Sequence, residues 1–243
     1  NNGIFWLLSG TNFQLSSIEI IRGFLCPPFI VSFLALVYMS ISSLIIIKFY
    51  NIKNIYAQLS IGIMLIVCPA MSQTLSYYYR SDTYMLAMLF ACISAYCLDT
   101  KGLAKKICGI IFLILTLSMY QSYIGVTCIL LLSKLILDLL RESTVKNTIF
   151  KTLYFIIAGI IGLLLYYIIA LICLKIFDLT FSAYSGANKG ALVGLSVWKS
   201  SISTIYNNFI QFIFGDNPYL LKNKYWHRAL FNGIFLLITL VQT

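Results

Sequence analysis

Apolar runs closed by charged or turn residues follow one another down the chain, over about 29–49, 55–70, 83–98, 107–119, 123–140 and 152–174, with a last one opening at Ala229. None keeps the apolar/polar alternation of a membrane barrel strand. Hydrocarbon offers a backbone no water to bond to, so a run of this kind spans it as a helix, which satisfies its own N–H and C=O groups. The pattern predicts an all-α fold: a polytopic transmembrane helical bundle of about seven spans, short paired helices included.

The middle of the chain has two readings. Between Lys106 and Lys134 lie 27 uncharged residues, about 40 Å as one helix and only two short helices if the chain folds back. The cations decide between them. A turn near 119–123 places Lys101, Lys105 and Lys106 on the same side as Lys134, Arg141, Lys146 and Lys151, joined by Lys48 and Lys53, and leaves Arg22 and Arg80 on the short connections opposite. A single long span would erase that asymmetry. The excess of Lys and Arg on cytoplasmic loops favours the turn and makes the lysine side cytoplasmic. The exterior then carries the residues up to about Pro28, a loop at 71–82, the turn at 120–123 and a long segment at 175–228. That segment includes a Ser/Gly-rich stretch at 182–194, an amphipathic piece at 205–214 and Tyr225-Trp-His-Arg228.

Composition removes whole classes of function. Of 243 residues, 60% are hydrophobic and 10% charged, with a mean hydropathy of +0.93, where a soluble domain is about one quarter charged. Most of the surface must face lipid. The net charge of +10 sits at the ends of apolar runs and reports topology, not nucleic-acid binding. Cys26, Cys68, Cys92, Cys97, Cys108, Cys128 and Cys173 lie in or beside apolar runs without metal-ligand spacing, and His227 stands without a second ligand, so neither a metal nor a cofactor is implied. The chain opens on Asn1, and its last apolar run stops before it reaches the roughly 20 residues a span needs. It is read as one integral-membrane domain, 1–243, of a longer protein whose N-terminal span, first exterior loop and C-terminal part lie outside these residues.

Soluble-enzyme motifs such as the P-loop, GxGxxG, GxSxG and HExxH are absent from the sequence. Interest falls on polar residues at the membrane edge. The densest cluster is Gln73-Thr-Leu-Ser-Tyr-Tyr-Tyr-Arg-Ser-Asp82. Arg80 is suited to pair with a phosphate or pyrophosphate, and Tyr77, Tyr78 and Tyr79 to pack on a sugar or lipid head. An interfacial aromatic belt, with Asp82 as N-cap of the next helix, accounts for the same residues. Tyr120, Gln121, Ser122 and Tyr123 form a second group on the same face. Gln121 can donate to and accept from sugar hydroxyls, and a helical turn with interfacial tyrosines is the plainer account. Glu19 and Arg22 fit an i, i+3 ion pair on an amphipathic helix, or Glu19 serves as a carboxylate base. Tyr225 to Arg228 could hold an acceptor sugar or lipid phosphate, or form a belt.

With these motifs in place, residues 55–140 resemble the bacterial membrane glucosyl transferases of the GtrII type, which decorate O-antigen and other surface polysaccharide. The match rests on Cys68-Pro69, on Ser76-Tyr-Tyr-Tyr-Arg-Ser-Asp82 opening the next helix, on the basic loop, and on Leu117-Ser-Met-Tyr-Gln121. The resemblance implies a GT-C-like helical enzyme of the bacterial cytoplasmic (inner) membrane, multi-pass, its active face outward. It also implies a polyprenyl-phosphate sugar as donor, a surface glycan as acceptor and the lipid bilayer as surroundings. Families of this type place a catalytic acidic residue in the first exterior loop. Here no Asp precedes Asp82, and Glu19 is the only carboxylate upstream of it. The expected catalytic carboxylates are therefore Asp82 and Glu19, with Arg80, Tyr78, Tyr79, Tyr120, Gln121 and Tyr123 binding substrate. A carboxylate would activate the acceptor hydroxyl while Arg80 steadies the leaving phosphate. A flippase or transporter for lipid-linked oligosaccharide is the alternative class, and a surface polysaccharide polymerase a third. Transport predicts ionisable groups at mid-membrane, whereas this sequence keeps nearly all of them at run ends.

Overall fold

The computed structural model describes residues 27–77, 80–140, 145–176, 178 and 201–207. Among them there is no strand. The helices are α1 (Pro28–Tyr50), α2 (Ile55–Val67), α3 (Pro69–Ser76), α4 (Ser81–Asp99), α5 (Leu103–Met119), α6 (Ile124–Leu140) and α7 (Val145–Ile176), with a 3-10 turn at Gln121–Tyr123 between α5 and α6. The chain divides into units Asn1–Tyr184 and Ser185–Thr243. All seven helices belong to the first, and the described part of the second is a helix at 201–207. The rest of the proposed exterior segment at 175–228, the run from Ala229, and Glu19 and Arg22 fall outside the described residues.

Local chemistry explains the element ends. Asn51 closes α1 in the left-handed conformation (φ 56°, ψ 45°), its N–H donating to the Ile47 and Lys48 carbonyls, a conformation asparagine tolerates well. Asn54 then starts α2 by accepting the Tyr56 N–H on its side chain at 2.9 Å. The run at 55–70 proves to be interrupted. Cys68 leaves the helix (ψ 122°) and Pro69 begins α3, because proline disfavours α geometry in the residue before it and suits a first helical turn. The polar stretch expected to be a loop at 71–82 is therefore mostly helix, and the true connection is 77–80. Two other helices start early: α5 includes Leu103 to Lys106 and α7 includes Val145 to Lys151. The reversal at 120–123 is as the charge pattern required.

Four of the helical segments are long and apolar enough to cross a membrane: Pro28–Tyr50, Ser81–Asp99, Gln121–Leu140 and Val145–Ile176. Their hydropathy tracks their surroundings. The segments at α1 and α7 have mean hydropathies of 2.5 and 2.8 and are 22% and 28% buried, while α4 has 1.4 and is 67% buried. Helix α4 is the hub, packed against α1, α5 and α6, and α5 in turn packs on α7. Being wrapped by protein, α4 tolerates a composition that lipid would not.

Small residues allow the close approach. Ala87, Ala91 and Ala95 recur every fourth residue on α4 and are fully buried, with Ala35, Met39 and Phe49 of α1 in the same clusters. Such small-residue stripes let membrane helices pack where no hydrophobic drive separates them from lipid. The Ser94 hydroxyl donates to the Gly109 carbonyl at 2.8 Å, joining α4 to α5, and the Thr127 hydroxyl donates to the Ala91 carbonyl at 3.1 Å, joining α6 to α4.

The two ends of the bundle differ in chemistry. One gathers Lys48, Lys53, Lys101, Lys105, Lys106, Lys134, Lys146 and Lys151 with Asp99 and Asp138. Lys151 bridges Asp99 at 2.5 Å and Asp138 at 2.6 Å, and Lys48 and Lys106 lie over the Tyr96 and Tyr154 rings. The other end gathers tyrosines.

Candidate functional site at the tyrosine end

Three segments meet at this end: α3 with its exit at Tyr77, the first turns of α4, and the 3-10 turn after α5. Helix α3 ends when Tyr77 leaves the helix (φ −79°, ψ 64°), its N–H still bonded to the Thr74 carbonyl at 3.2 Å. The chain is helical again from Ser81. The Arg80 N–H donates to the Tyr77 carbonyl at 2.9 Å, and the Arg80 carbonyl accepts the Thr83 and Tyr84 N–H groups at 3.1 and 3.2 Å. Arg80 is thus the N-cap of α4, and its backbone ties Tyr77 to Tyr84.

Those two tyrosines, with Thr74, Tyr120 and Tyr123, line a cavity of about 210 Å³. Its aromatic wall is continuous. Tyr77 and Tyr84 meet edge to face at 6.4 Å, Tyr84 and Tyr120 at 4.9 Å, and Tyr120 and Tyr123 at 5.8 Å. These spacings lie in the favourable range for aromatic pairs. Thr74 is hydrogen-bonded to the Tyr123 hydroxyl, fixing α3 against the turn. Tyr123 was expected at the outer turn, and instead its body is buried, at 8% exposure, among Met39, Met85, Met88 and Met119. Gln121 stays exposed, and its amide nitrogen donates to the Tyr166 hydroxyl of α7 at 2.7 Å.

Asp82 is not the N-cap. It is the second residue of α4, 4% exposed between fully buried Ser81 and Thr83, and its Oδ1 accepts the Thr83 N–H at 2.8 Å and the Thr83 hydroxyl at 3.2 Å. Helix α4 starts at Ser81 because Arg80 already takes the capping place, which moves Asp82 inside the first turn. There the positive end of the helix favours a carboxylate.

Of the residues singled out from sequence, Arg80, Asp82, Tyr120, Gln121 and Tyr123 come together at this end. Tyr78, Tyr79 and Glu19 lie outside the described residues. The site also contains Thr74, Tyr84 and Tyr166. Tyr84 carried a signal, since it falls one helical turn after Arg80, and Thr74 lay within the polar cluster at 73–82. Tyr166 announced itself only as a hydroxyl in the middle of an apolar run.

The cavity is lined by Thr74 and four tyrosines, with Arg80 and Asp82 at the adjoining start of α4 and outside its lining; tyrosine rings can stack a sugar, a guanidinium can hold a phosphate and a carboxylate can accept a proton. Comparison with known proteins adds one finding. No curated protein and no solved structure matches the chain, while the family model described as glucosyl transferase GtrII matches residues 15–243. With helices fit for a membrane and a family match over nearly its whole length, the chain belongs to the GtrII glucosyl transferase family.

Proposed function

We propose that this protein transfers glucose from a polyprenyl-phosphate carrier to a cell-surface glycan such as O-antigen, at the tyrosine end of the bundle, in the bacterial cytoplasmic membrane with that end outward. The observation that carries the reading is the tyrosine-walled cavity, whose two walls are joined through the backbone of Arg80. Tyrosine faces suit the C–H faces of a hexose, and Gln121 and the tyrosine hydroxyls suit its hydroxyls. The Arg80 guanidinium would hold the carrier phosphate and steady its charge as the anomeric bond breaks. Asp82 would take the acceptor proton, with Glu19, Tyr78 and Tyr79 completing the site. The lysine end supports the orientation, since cytoplasmic loops collect cations. Helices α2 and α3, 13 and 8 residues long, about 20 and 12 Å, lead the chain from Lys53 at the lysine end to Tyr77 at the site.

The test is transfer of labelled glucose from polyprenyl-phosphate-glucose to surface glycan in cells carrying the complete gene with Arg80→Ala. Loss of one charge-stabilising donor predicts a fall of about 10²–10³-fold in rate, with membrane insertion unchanged and the lipid donor accumulating. Transfer at the parental rate would remove Arg80 from the site.

A further inference from the structure

The lysine end holds a second, larger pocket of about 360 Å³, formed by the α4–α5 connection and the first turns of α7. Its charges do not cancel. Lys151 is shared between Asp99 and Asp138, so those three groups sum to one negative charge. Lys101 and Lys106 also line the pocket, and among the described residues neither is paired with a carboxylate. Lys106 rests on the Tyr154 ring, 4.3 Å from its centre. The charges lining the pocket, three lysines against Asp99, sum to +2, and Asp138 on Lys151 brings this to +1, so the site attracts an anion. An apolar border completes the site. Phe150 lines the pocket at 61% exposure, and Leu103 and Ile107, which follow the lining residues Gly102 and Lys106 along α5, are 75% and 50% exposed. A free inorganic anion has no use for these side chains, whereas the glycerol and first acyl carbons of a lipid do.

We propose that this pocket binds the phosphodiester headgroup of an anionic phospholipid, with Lys101 and Lys106 on the phosphate and Phe150, Leu103 and Ile107 against the acyl chains. A phosphodiester supplies the negative charge that the excess of lysines over carboxylates attracts. Basic pockets between membrane helices recognise lipid headgroups by this attraction. The Lys151 triad joins α4, α6 and α7 behind the lipid and keeps the two binding lysines from being neutralised by Asp99. The site lies at the opposite end of the bundle from the tyrosine cavity and stands whatever that cavity transfers.

The test uses the full chain, purified in detergent and stripped of lipid, followed by thermal unfolding during titration with short-chain phosphatidylglycerol, short-chain phosphatidylcholine or inorganic phosphate. Ligand that binds only the folded state raises Tm in a saturable way. Phosphatidylglycerol should do so, and the other two should not. The pair Lys101→Gln with Lys106→Gln should weaken phosphatidylglycerol about 30-fold and Lys101→Gln alone about fivefold, the expected effects of two and one interfacial lysines. Lys53→Gln with Lys146→Gln removes the same charge from exposed positions outside the pocket and should leave binding unchanged. The single variant alters only an exposed side chain, so it remains a valid test if the double variant misfolds. Equal shifts with phosphatidylcholine, equal shifts with inorganic phosphate, or equal losses in the control pair would each overturn the proposal.

Discussion

Asp82 and Arg80 are two residues apart, yet the fold gives them unlike surroundings. Arg80 caps α4 through its backbone and keeps a part-buried side chain, whereas Asp82 is enclosed in the first turn and bonded to Thr83. Asparagine can keep an oxygen on the Thr83 N–H and hydroxyl while losing the negative charge, so Asp82→Asn separates the two roles a carboxylate plays here. If Asp82 accepts the proton of the glycan hydroxyl, transfer should fall by about 10²–10⁴-fold with the amount of inserted protein unchanged. Transfer kept within a few-fold, measured by labelled glucose incorporation in membranes, would make the residue a helix-start fixture only. That Arg80 and Asp82 lie together where one helix opens was legible in the sequence, because the polar cluster at 73–82 runs straight into an apolar run. The link from Gln121 to Tyr166 was not, because it spans 45 positions and depends on how α7 leans on the turn, which no local pattern encodes.

At the scale of elements, the bundle depends on two glycines that differ in what faces them. A Cβ at Gly109 would meet the Leu98 side chain at 2.8 Å and the Leu98 backbone nitrogen at 3.1 Å, whereas one at Gly162 would meet the Leu113 Cδ2 at 2.6 Å, the far end of a flexible chain. Leu113 can rotate, but the α4 backbone cannot retreat without pulling Ser94 from the Gly109 carbonyl. Gly109→Ala should therefore cost about 1–3 kcal/mol, and Gly162→Ala less, as read from thermal unfolding in detergent. Equal costs would mean that α4 and α5 are free to separate. Hydropathy located the centres of these helices and missed their ends. Leu103 to Lys106 and Val145 to Lys151 are too basic for an apolar run, but a helix leaving hydrocarbon gains nothing by unwinding, since its i to i−4 bonds persist while lysines reach water. The polar residues of α3 misled in the same way: they read as loop, and Pro69 instead reopens a helix.

For the molecule as a whole, the outer surface of the described bundle is apolar over most of its length, with Phe29, Phe33, Leu44, Ile63, Ile129 and Leu164 each more than half exposed, and water could not cover such an area without association. Composition alone foretold this, because 10% charged residues cannot clothe a soluble protein. It could not foretell which helix sits at the centre; that needed α4's lower hydropathy to be compared with its neighbours. Length sets the remaining constraint. Helix α7, at 32 residues, is about 48 Å long and exceeds a hydrocarbon core of about 30 Å, and lysines in its first turns suit that end to a headgroup layer. The proposed orientation puts Lys146 and Lys151 in the cytoplasmic layer and the turn at 120–123, at the other end of α5 and α6, in the opposite one. In a background with its native cysteines replaced, Ser122→Cys and Ala104→Cys, both at exposed positions, report the two layers independently of Gln121 and the lysines. An impermeant maleimide added to intact cells with a permeable outer membrane should label position 122 at once and position 104 only after the inner membrane is opened. The reverse order would turn the bundle over, putting the tyrosine cavity beside cytoplasmic nucleotide sugars and denying it the polyprenyl-linked donor.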